Sequence, residues 1–248
     1  MKRRTVIALA TASLAVSKGQ TMAETQAKAV AIIGTGRMGG AFGANFSRAG
    51  YKVVYGSRNP SDPKVQSVAA ATPGATVLSQ KDAAGAAGIL VMATPWAGTE
   101  AAIKTLGDLS GKLILDPTNA ISFGKDGAGM AVETSGGELL QGWAAGANVV
   151  KAFNTIGYFV IADPSVLDGK VACFLAGQSP EAKAQAAEIV TAMGFEAVDV
   201  GPIKNARTLE GMSVMYMVPY LSGKQDQRFE YAVRRSGNVK LGPVRTAG

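Results

Sequence analysis

The chain has 248 residues, of which 47% are apolar, 17% are charged and 31 are glycine. This length and composition predict a globular domain with a short appendage and exclude a disordered or fibrous chain. The sequence has no histidine and a single cysteine, Cys173. It therefore excludes histidine-based acid and base catalysis, intramolecular disulfides and metal sites built from histidine or cysteine clusters.

The net charge of +7 is concentrated at the start of the chain. Residues 1–21 contain four basic residues and no acidic one, so the rest of the chain is only mildly basic. No run of Lys and Arg with interleaved aromatic residues follows. We therefore predict no nucleic-acid partner.

Residues 1–21 are typical of an export leader. A basic start precedes an apolar stretch, Thr5–Val16, which is too short to span a bilayer. The pair Arg3 and Arg4 hints at the twin-arginine route, so we predict a periplasmic protein without a membrane span. The alternative is a cytoplasmic protein whose true start is Met22.

Short β-branched runs alternate with longer Ala-rich amphipathic segments after residue 22, and this alternation predicts a parallel sheet with crossover helices. Predicted strands are Ala29–Ile33, Lys52–Tyr55, Ile89–Ala93, Lys112–Asp116, Asn148–Ala152, Val171–Leu175 and Ala197–Val200. Predicted helices include Gly39–Ala49, Gly98–Leu106, Gly136–Gly142, Pro180–Met193 and Lys204–Val218. We assign residues 22–221 to this domain, and residues 222–248 to a basic tail that is either extended or mobile.

A glycine-rich turn joins the first predicted strand to the first predicted helix. It consists of Gly34, Thr35, Gly36, Arg37, Met38 and Gly39. In this strand-turn-helix context the G-x-G-x-x-G spacing predicts a dinucleotide site. Gly34 permits the turn, Gly36 admits a pyrophosphate and Gly39 lets the helix pack on the strand. The fold class is therefore α/β, a Rossmann-type, doubly wound, mostly parallel sheet with a short helical C-terminal extension.

Ser57 and Arg58 follow the second strand, where an NAD enzyme usually carries an acidic residue. An acid would repel a 2′-phosphate, whereas Ser57 can donate a hydrogen bond to it and Arg58 can form a charge-assisted pair. The pair predicts NADP(H) as the cofactor.

Three further segments, residues 93–96, 116–119 and 151–155, follow the carboxyl ends of strands, where open α/β sheets bind ligands. We expect Thr94 and Pro95 to line the cofactor cleft. The expected catalytic residues, which would position the nicotinamide and its reaction partner, are Trp96, Asn119, Asn154 and Thr155.

These motifs together resemble the coenzyme F-420-dependent NADP oxidoreductases and the related reductase domains of six-transmembrane ferric reductases. The resemblance runs from about Val30 to Leu221. Besides the glycine turn and the Ser-Arg pair, it is carried by ATPW (93–96), LILDPTN (113–119), VVKAFNT (149–155), FLAGQSPEAK (174–183) and GFEAVDVGPIKNARTLE (194–210). The resemblance implies an NADPH-linked hydride transfer to a second redox ring, with Thr35, Ser57 and Arg58 at the 2′-phosphate. It also implies that the Met-rich segment 210–221 covers the cleft or pairs across a homodimer.

The expected acceptor is a small molecule, coenzyme F-420 or a flavin, because hydride transfer between stacked rings depends mainly on positioning. The cleft motifs offer no paired catalytic carboxylates. Two alternatives stay open: an NADP-dependent imine or ketone dehydrogenase, in which Lys151 or Tyr158 would supply a proton, and a non-enzymatic NADP-binding sensor. Cys173 lies in an apolar run, so we expect a buried structural thiol.

Overall fold

An eight-stranded sheet with helices on both faces organises the described part of the chain. The computed structural model describes residues 28–125, 127–235 and 237. The strands are β1 Ala29–Ile33, β2 Lys52–Ser57, β3 Thr76–Ser79, β4 Ile89–Met92, β5 Leu113–Asp116, β6 Ile121–Gly124, β7 Gly127–Met130, β8 Asn148–Lys151, β9 Ala172–Gly177 and β10 Glu196–Asp199. The helices are α1 Arg37–Arg48, α2 Pro63–Ala70, α3 Gln80–Gly85, α4 Trp96–Ile103, α5 Gly136–Trp143, α6 Tyr158–Ala162, α7 Pro180–Ala192 and α8 Ala206–Leu221.

The strand order is β10-β9-β8-β5-β4-β1-β2-β3, and β6 and β7 form a separate hairpin. Neighbouring strands in the large sheet are parallel, apart from the antiparallel pair β8 and β9. The chain runs outward from β1 in both directions, so the order reverses between β1 and β4. This confirms the predicted doubly wound, mostly parallel fold and puts the ligand crevice at the carboxyl ends of these two strands.

Strand β1 is buried on both faces. Val30 and Ile32 pack with Phe42 of α1 in one apolar cluster, whereas Ala31 and Ile33 belong to the cluster on the opposite face. A continuous apolar run is what a parallel strand between two helical layers requires. The central position of β1 fixes the glycine turn that follows it.

Helices α1 and α4 both begin at the crevice without a side-chain cap. Helices α2, α5 and α7 begin with side-chain caps from Asp62, Ser135 and Ser179, each accepting a hydrogen bond from a first-turn N–H group. Helix α1 begins at Gly36 with no side-chain cap and no acidic residue in its first turn. Its first N–H groups therefore stay available to a ligand at the crevice.

The predicted strands and the five predicted helices lie within three residues of the observed ones. The sequence did not predict β3, α2, α3, α6 or the β6–β7 hairpin, because these elements have at most eight residues and show too little periodicity. The antiparallel direction of β9 was also not predicted.

The predicted leader, residues 1–21, lies outside the described residues, and its export function stays a prediction. Residue 236 and residues 238–248 of the tail also lie outside them. Residues 228–235 form no helix or strand, and the Tyr231 carbonyl accepts a 2.7 Å hydrogen bond from the Ala172 N–H. Within the described ranges, no helix has the length and apolarity needed to cross a membrane.

Candidate active site

A cavity of about 960 Å³ opens at the carboxyl ends of β1, β2, β4 and β5. Its walls come from the glycine turn, the end of β2, the start of α4 and the loop after β5. The residues predicted to bind the cofactor that line it are Gly34, Thr35, Gly36, Arg37, Met38, Ser57, Arg58, Thr94 and Pro95. The volume is in the range of sites that enclose large organic ligands.

The three glycines of the turn have different surroundings. Gly34 has a φ of +115°, and a Cβ there would lie 2.5 Å from the Ala93 carbonyl oxygen. A Cβ on Gly39 would lie 2.0 Å from the Gly34 oxygen, so this residue supports the turn from below and does not line the cavity. A Cβ on Gly36 would meet no atom within 4 Å. The fold therefore requires Gly34 and Gly39, whereas Gly36 leaves space on the cavity side.

The first turn of α1 forms one wall of this space. Its N–H groups carry no side-chain cap, and Arg37 adds a positive charge beside them. Uncapped N–H groups and a helix N-terminus favour an anionic ligand such as a phosphate.

Ser57 and Arg58 line the cavity at the end of β2. Ser57 is buried and its Oγ accepts a hydrogen bond from the Asn59 N–H at 3.1 Å, whereas Arg58 is exposed. Sequence reasoning missed Asp62, which also lines the cavity and whose Oδ1 caps α2 by accepting from the Lys64 N–H at 2.8 Å. The Asp-Pro start of α2 was the available signal.

The opposite wall, from β4, α4 and the loop after β5, differs in chemistry. It includes Met92, Thr94, Pro95, Pro117 and Thr118, and none of the cavity-lining residues of these segments is ionisable. The Thr94 hydroxyl lies 2.9 Å from that of Thr99, which in turn donates to the Pro95 carbonyl. The cavity thus has a charged half at α1 and β2 and a neutral half at β4 and β5.

Trp96 does not line the cavity. Its ring stacks on Trp143 of α5, with centroids 5.5 Å apart and an interplanar angle of 24°. A Cβ on Gly136 would lie 2.9 Å from this ring, so the indole is held tightly. The stack fixes α4 and the neighbouring Pro95 against α5, and the catalytic role of Trp96 stays a prediction.

Asn119 follows the end of β5 and Asn154 follows the end of β8, and their side chains contact each other. Asn154 Nδ2 donates to Asn119 Oδ1 at 3.0 Å and to the Leu209 carbonyl at 2.8 Å, and Asn119 Nδ2 donates to the Asn154 carbonyl at 2.9 Å. The structure brings the two amides together beside the cavity-lining Thr118. Neither amide lines the cavity, and the buried Thr155 does not line it either.

The turn that carries Asn154 and Thr155 begins with a residue whose backbone is strained. Phe153 has a φ of +63°, and no other non-glycine residue in the described ranges has a positive φ. Its ring packs edge-on against Phe42 and Phe195, with centroids 5.2 and 5.6 Å away. Such packing holds a backbone conformation that costs on the order of 1–3 kcal/mol. The 153–155 turn is therefore set by the core.

A buried ionic network lies below the neutral half. Lys151 Nζ is 2.7 Å from Asp116 Oδ2, from Glu210 Oε1 and from the carbonyl oxygen of Thr118, and all three charged side chains are fully buried. The Glu210 carboxylate also accepts hydrogen bonds from the Ala120, Gly136 and Gly137 N–H groups, at 3.2, 3.0 and 3.0 Å.

Sequence reasoning missed this network, in which Asp116 and Glu210 meet at Lys151. Neither carboxylate lines the cavity. Lys151 is not available to protonate a substrate, since its ammonium is enclosed by these partners. A lysine inside the apolar strand β8 was the signal for a buried ion pair.

Cys173 is a buried thiol, as expected. Burial raises its pKa to about 12, and its sulfur accepts a hydrogen bond from the Phe153 N–H at 3.3 Å. Within the described ranges, no group of three or more Cys, Asp or Glu side chains is arranged to hold a metal ion.

The outer face of α8 carries exposed apolar side chains, Met215, Val218 and Leu221. The helix contains the Met-rich segment that the resemblance relates to a cleft cover or a homodimer. The homodimer stays a prediction.

Residues 29–120 match the model of the family described as "NADP oxidoreductase coenzyme F420-dependent". The matched range begins with β1 and ends after β5, so it contains the glycine turn, the Ser-Arg pair and both halves of the cavity.

Two relatives match beyond this range. The chain is 28% identical over 189 residues to the metalloreductase STEAP3 of Rattus norvegicus, covering 75% of this chain and 36% of that protein. It thus spans about a third of the length of this relative. A structure assigned as an F420-dependent NADP-reductase of Arthrobacter sp. fb24 is 27% identical, with a TM-score of 0.74, and the match covers 82% of this chain and 99% of that one.

A more distant structure shares the fold. A reductive aminase from Aspergillus terreus, in a complex with NADPH4, cyclohexanone and allyl amine, is 18% identical with a TM-score of 0.58, over 79% of this chain and 63% of that one. The family model and the two relatives confirm the predicted resemblance, and they support the predicted class, an NADP-dependent oxidoreductase.

Proposed function

We propose that this protein transfers a hydride between NADP(H) and a flat redox ring, with a deazaflavin such as coenzyme F-420 as the first candidate and a flavin as the second. The observation that carries the proposal is the division of the cavity into a charged half and a neutral half. The charged half suits the phosphates of the nucleotide. The neutral half suits a hydride transfer that needs no positioned acid.

The residues present fit the nucleotide. The space above Gly36 and the uncapped start of α1 would receive the pyrophosphate. Ser57 and Arg58 would hold the 2′-phosphate, since they line the cavity on the β2 side of that space. Thr94, Pro95 and Thr118 line the β4 and β5 side and would hold the nicotinamide.

NADPH supplies the hydride when bound, and the protein's task is to align it with an acceptor. Pro95 and Pro117 make the walls of the neutral half rigid. The stack of Trp96 on Trp143 holds the neighbouring Pro95 in place. Asn119 and Asn154 fix the loop after β5 against the turn after β8. We assign these residues to positioning, because positioning carries most of the rate in such a transfer.

The alternative is an imine or ketone dehydrogenase, which needs a proton donor near the substrate. Lys151 cannot serve, because it is buried between two carboxylates. Tyr158 is the remaining candidate: its ring is 44% exposed, and the Arg37 guanidinium lies 5.8 Å from its centroid. The same fold in a reductive aminase keeps this alternative testable.

An acceptor screen tests the proposal. NADPH oxidation is followed with coenzyme F-420, a free flavin, a quinone, a cyclic imine and a simple ketone, each with the wild-type protein and with Tyr158→Phe. We expect reduction of a ring acceptor, unchanged within about twofold by Tyr158→Phe. Reduction of the imine or ketone alone, abolished by Tyr158→Phe, would establish the dehydrogenase alternative, and NADPH binding without oxidation would indicate a sensor.

A further inference from the structure

The C-terminal segment that follows α8 folds back onto the start of β9 and onto α8. We define the strap as residues 228–231. Its Tyr231 carbonyl accepts a hydrogen bond from the Ala172 N–H at 2.7 Å, and the Tyr231 hydroxyl donates to the Met212 carbonyl at 2.9 Å. The strap is thus bonded both to the first residue of β9 and to α8.

Glu230, the residue before Tyr231, contacts the end of the turn that carries Asn154 and Thr155. Its Oε1 accepts hydrogen bonds from the Gly157 N–H at 3.3 Å and from the Tyr216 hydroxyl at 2.9 Å. A Cβ on Gly157 would lie 2.7 Å from the Tyr216 hydroxyl oxygen and 3.2 Å from Glu230 Oε1. The absence of a side chain at position 157 therefore permits this close approach.

The second carboxyl oxygen of Glu230 is in a different situation. Glu230 Oε2 is buried and has no hydrogen-bond partner among the described residues. A negative charge on this carboxyl is poorly stabilised, because only one of its oxygens receives donors. The docked strap therefore favours the neutral form of Glu230.

The charged and titratable groups around Glu230 come from three elements. Helix α8 contributes Tyr216, with Tyr220 next to it, and the strap contributes Arg228 and Tyr231. Helix α6 contributes Tyr158, which faces Arg228. Burial raises the pKa of Glu230 from 4.5 to about 7, although Tyr216, the Gly157 N–H and Arg228 oppose this rise.

We propose that Glu230 is a positioning residue whose neutral form holds the 154–157 turn, and with it the contact of Asn154 with Asn119 beside the cavity, so that the strap is a proton-dependent clamp on this turn. The inference about the acceptor rests on the proposed function, whereas the clamp itself does not. Because the docked carboxyl has a higher pKa than a free one, docking is strongest below about pH 4.5 and weakens as the pH rises through about 7.

Hydrogen exchange of the full-length protein tests the clamp without any acceptor. The reporters are the Gly157 and Ala172 amides, which donate to the strap, measured at about pH 5.5 and about pH 8.5 and corrected for intrinsic exchange. We expect their protection to fall by on the order of tenfold or more at the higher pH, and Glu230→Gln to remove this pH dependence. Glu196→Gln is the matched control, since Glu196 is the carboxylate that contacts Arg235 in the same tail, and it should keep the pH dependence.

Equal protection at both pH values in the wild-type protein, or an unchanged pH dependence in Glu230→Gln, would overturn the proposal. A second measurement connects the clamp to function. The KM for the ring acceptor should rise with pH in the wild-type protein and not in Glu230→Gln, with NADPH affinity alike in both. A KM profile that is the same in both proteins would overturn the positioning role. If no ring acceptor is reduced, the proposed function fails and the exchange result still decides the clamp.

Discussion

Lys151 Nζ lies 2.7 Å from Glu210 Oε1, and both side chains are fully buried. The pair links strand β8 to helix α8, and the Glu210 carboxylate continues the link to the N–H groups that begin α5. Lys151 also contacts the Thr118 carbonyl and thereby supports the neutral wall of the cavity. The cavity thus depends on an ionic network that does not reach its surface.

Replacing Lys151 by Met should destabilise the protein by about 3–5 kcal/mol, because it leaves the carboxylates of Asp116 and Glu210 buried without a cation. Denaturant unfolding measures this loss. Lys183→Met is the control: Lys183 contacts Asp199 at 2.8 Å, but that carboxylate is half exposed, so a loss of no more than about 1 kcal/mol is expected. Similar losses in the two variants would show that the buried network contributes no special stability.

Nucleotide choice should depend on Arg58. Wild-type protein should bind NADPH more tightly than NADH by about 2 kcal/mol, if Arg58 forms a charge-assisted bond with the 2′-phosphate. Arg58→Asp should reverse the preference with the fold intact. Lys52→Asp makes the same charge change at the other end of β2 and should leave the preference unchanged. Calorimetry of the three proteins with both nucleotides measures the six dissociation constants, and comparable affinities of the wild-type protein for NADPH and NADH would refute the assignment.

Two substitutions in the glycine turn should separate an effect on nucleotide binding from an effect on folding. Gly36→Val should abolish nucleotide binding and leave the thermal midpoint within a few degrees, because its side chain enters open space where the pyrophosphate would lie. Gly39→Val should instead destabilise the fold, since its Cβ would meet the Gly34 carbonyl oxygen at 2.0 Å. Thermal unfolding and NADPH titration of both variants provide the comparison. Unaltered NADPH affinity in Gly36→Val would place the nucleotide elsewhere.

Trp96→Ala should lower kcat more than NADPH affinity. The substitution removes the stack on Trp143 and frees the neutral wall at Pro95, whereas the phosphate contacts lie on the other half of the cavity. Steady-state kinetics with a reducible ring and a separate NADPH titration distinguish the two effects. A loss confined to NADPH affinity would assign Trp96 to nucleotide binding.

The fold and the residues that line the charged half of the cavity could be predicted from sequence because they depend on local signals. Strand β1, the glycine turn and the start of α1 are contiguous, and each glycine has a local reason to be there. The pair Ser57 and Arg58 is also contiguous, at the end of a strand that the sequence predicts.

The neutral half of the cavity and the contacts behind it were harder to predict from sequence, because these contacts join segments that are far apart in the chain. Glu210 and Lys151 are 59 positions apart in the sequence. The Ser213 hydroxyl donates a hydrogen bond to the Asn154 carbonyl, and these two residues are also 59 positions apart. The sequence also did not show that Trp96 lies outside the cavity lining, for a similar reason. Its stacking partner, Trp143, lies in α5, and sequence spacing does not show that α4 and α5 are neighbours.

Stopped-flow absorbance with the wild-type protein, NADPH and coenzyme F-420 tests the central proposal, hydride transfer from the nucleotide to a redox ring. We expect the NADPH absorbance to fall at the same rate as the acceptor is bleached, with one acceptor reduced for each NADPH, and Gly36→Val to abolish both signals. A flavin that behaves in this way would also support ring-to-ring transfer. Bleaching of neither ring, with rapid reduction of an imine or ketone by the same protein, would contradict it.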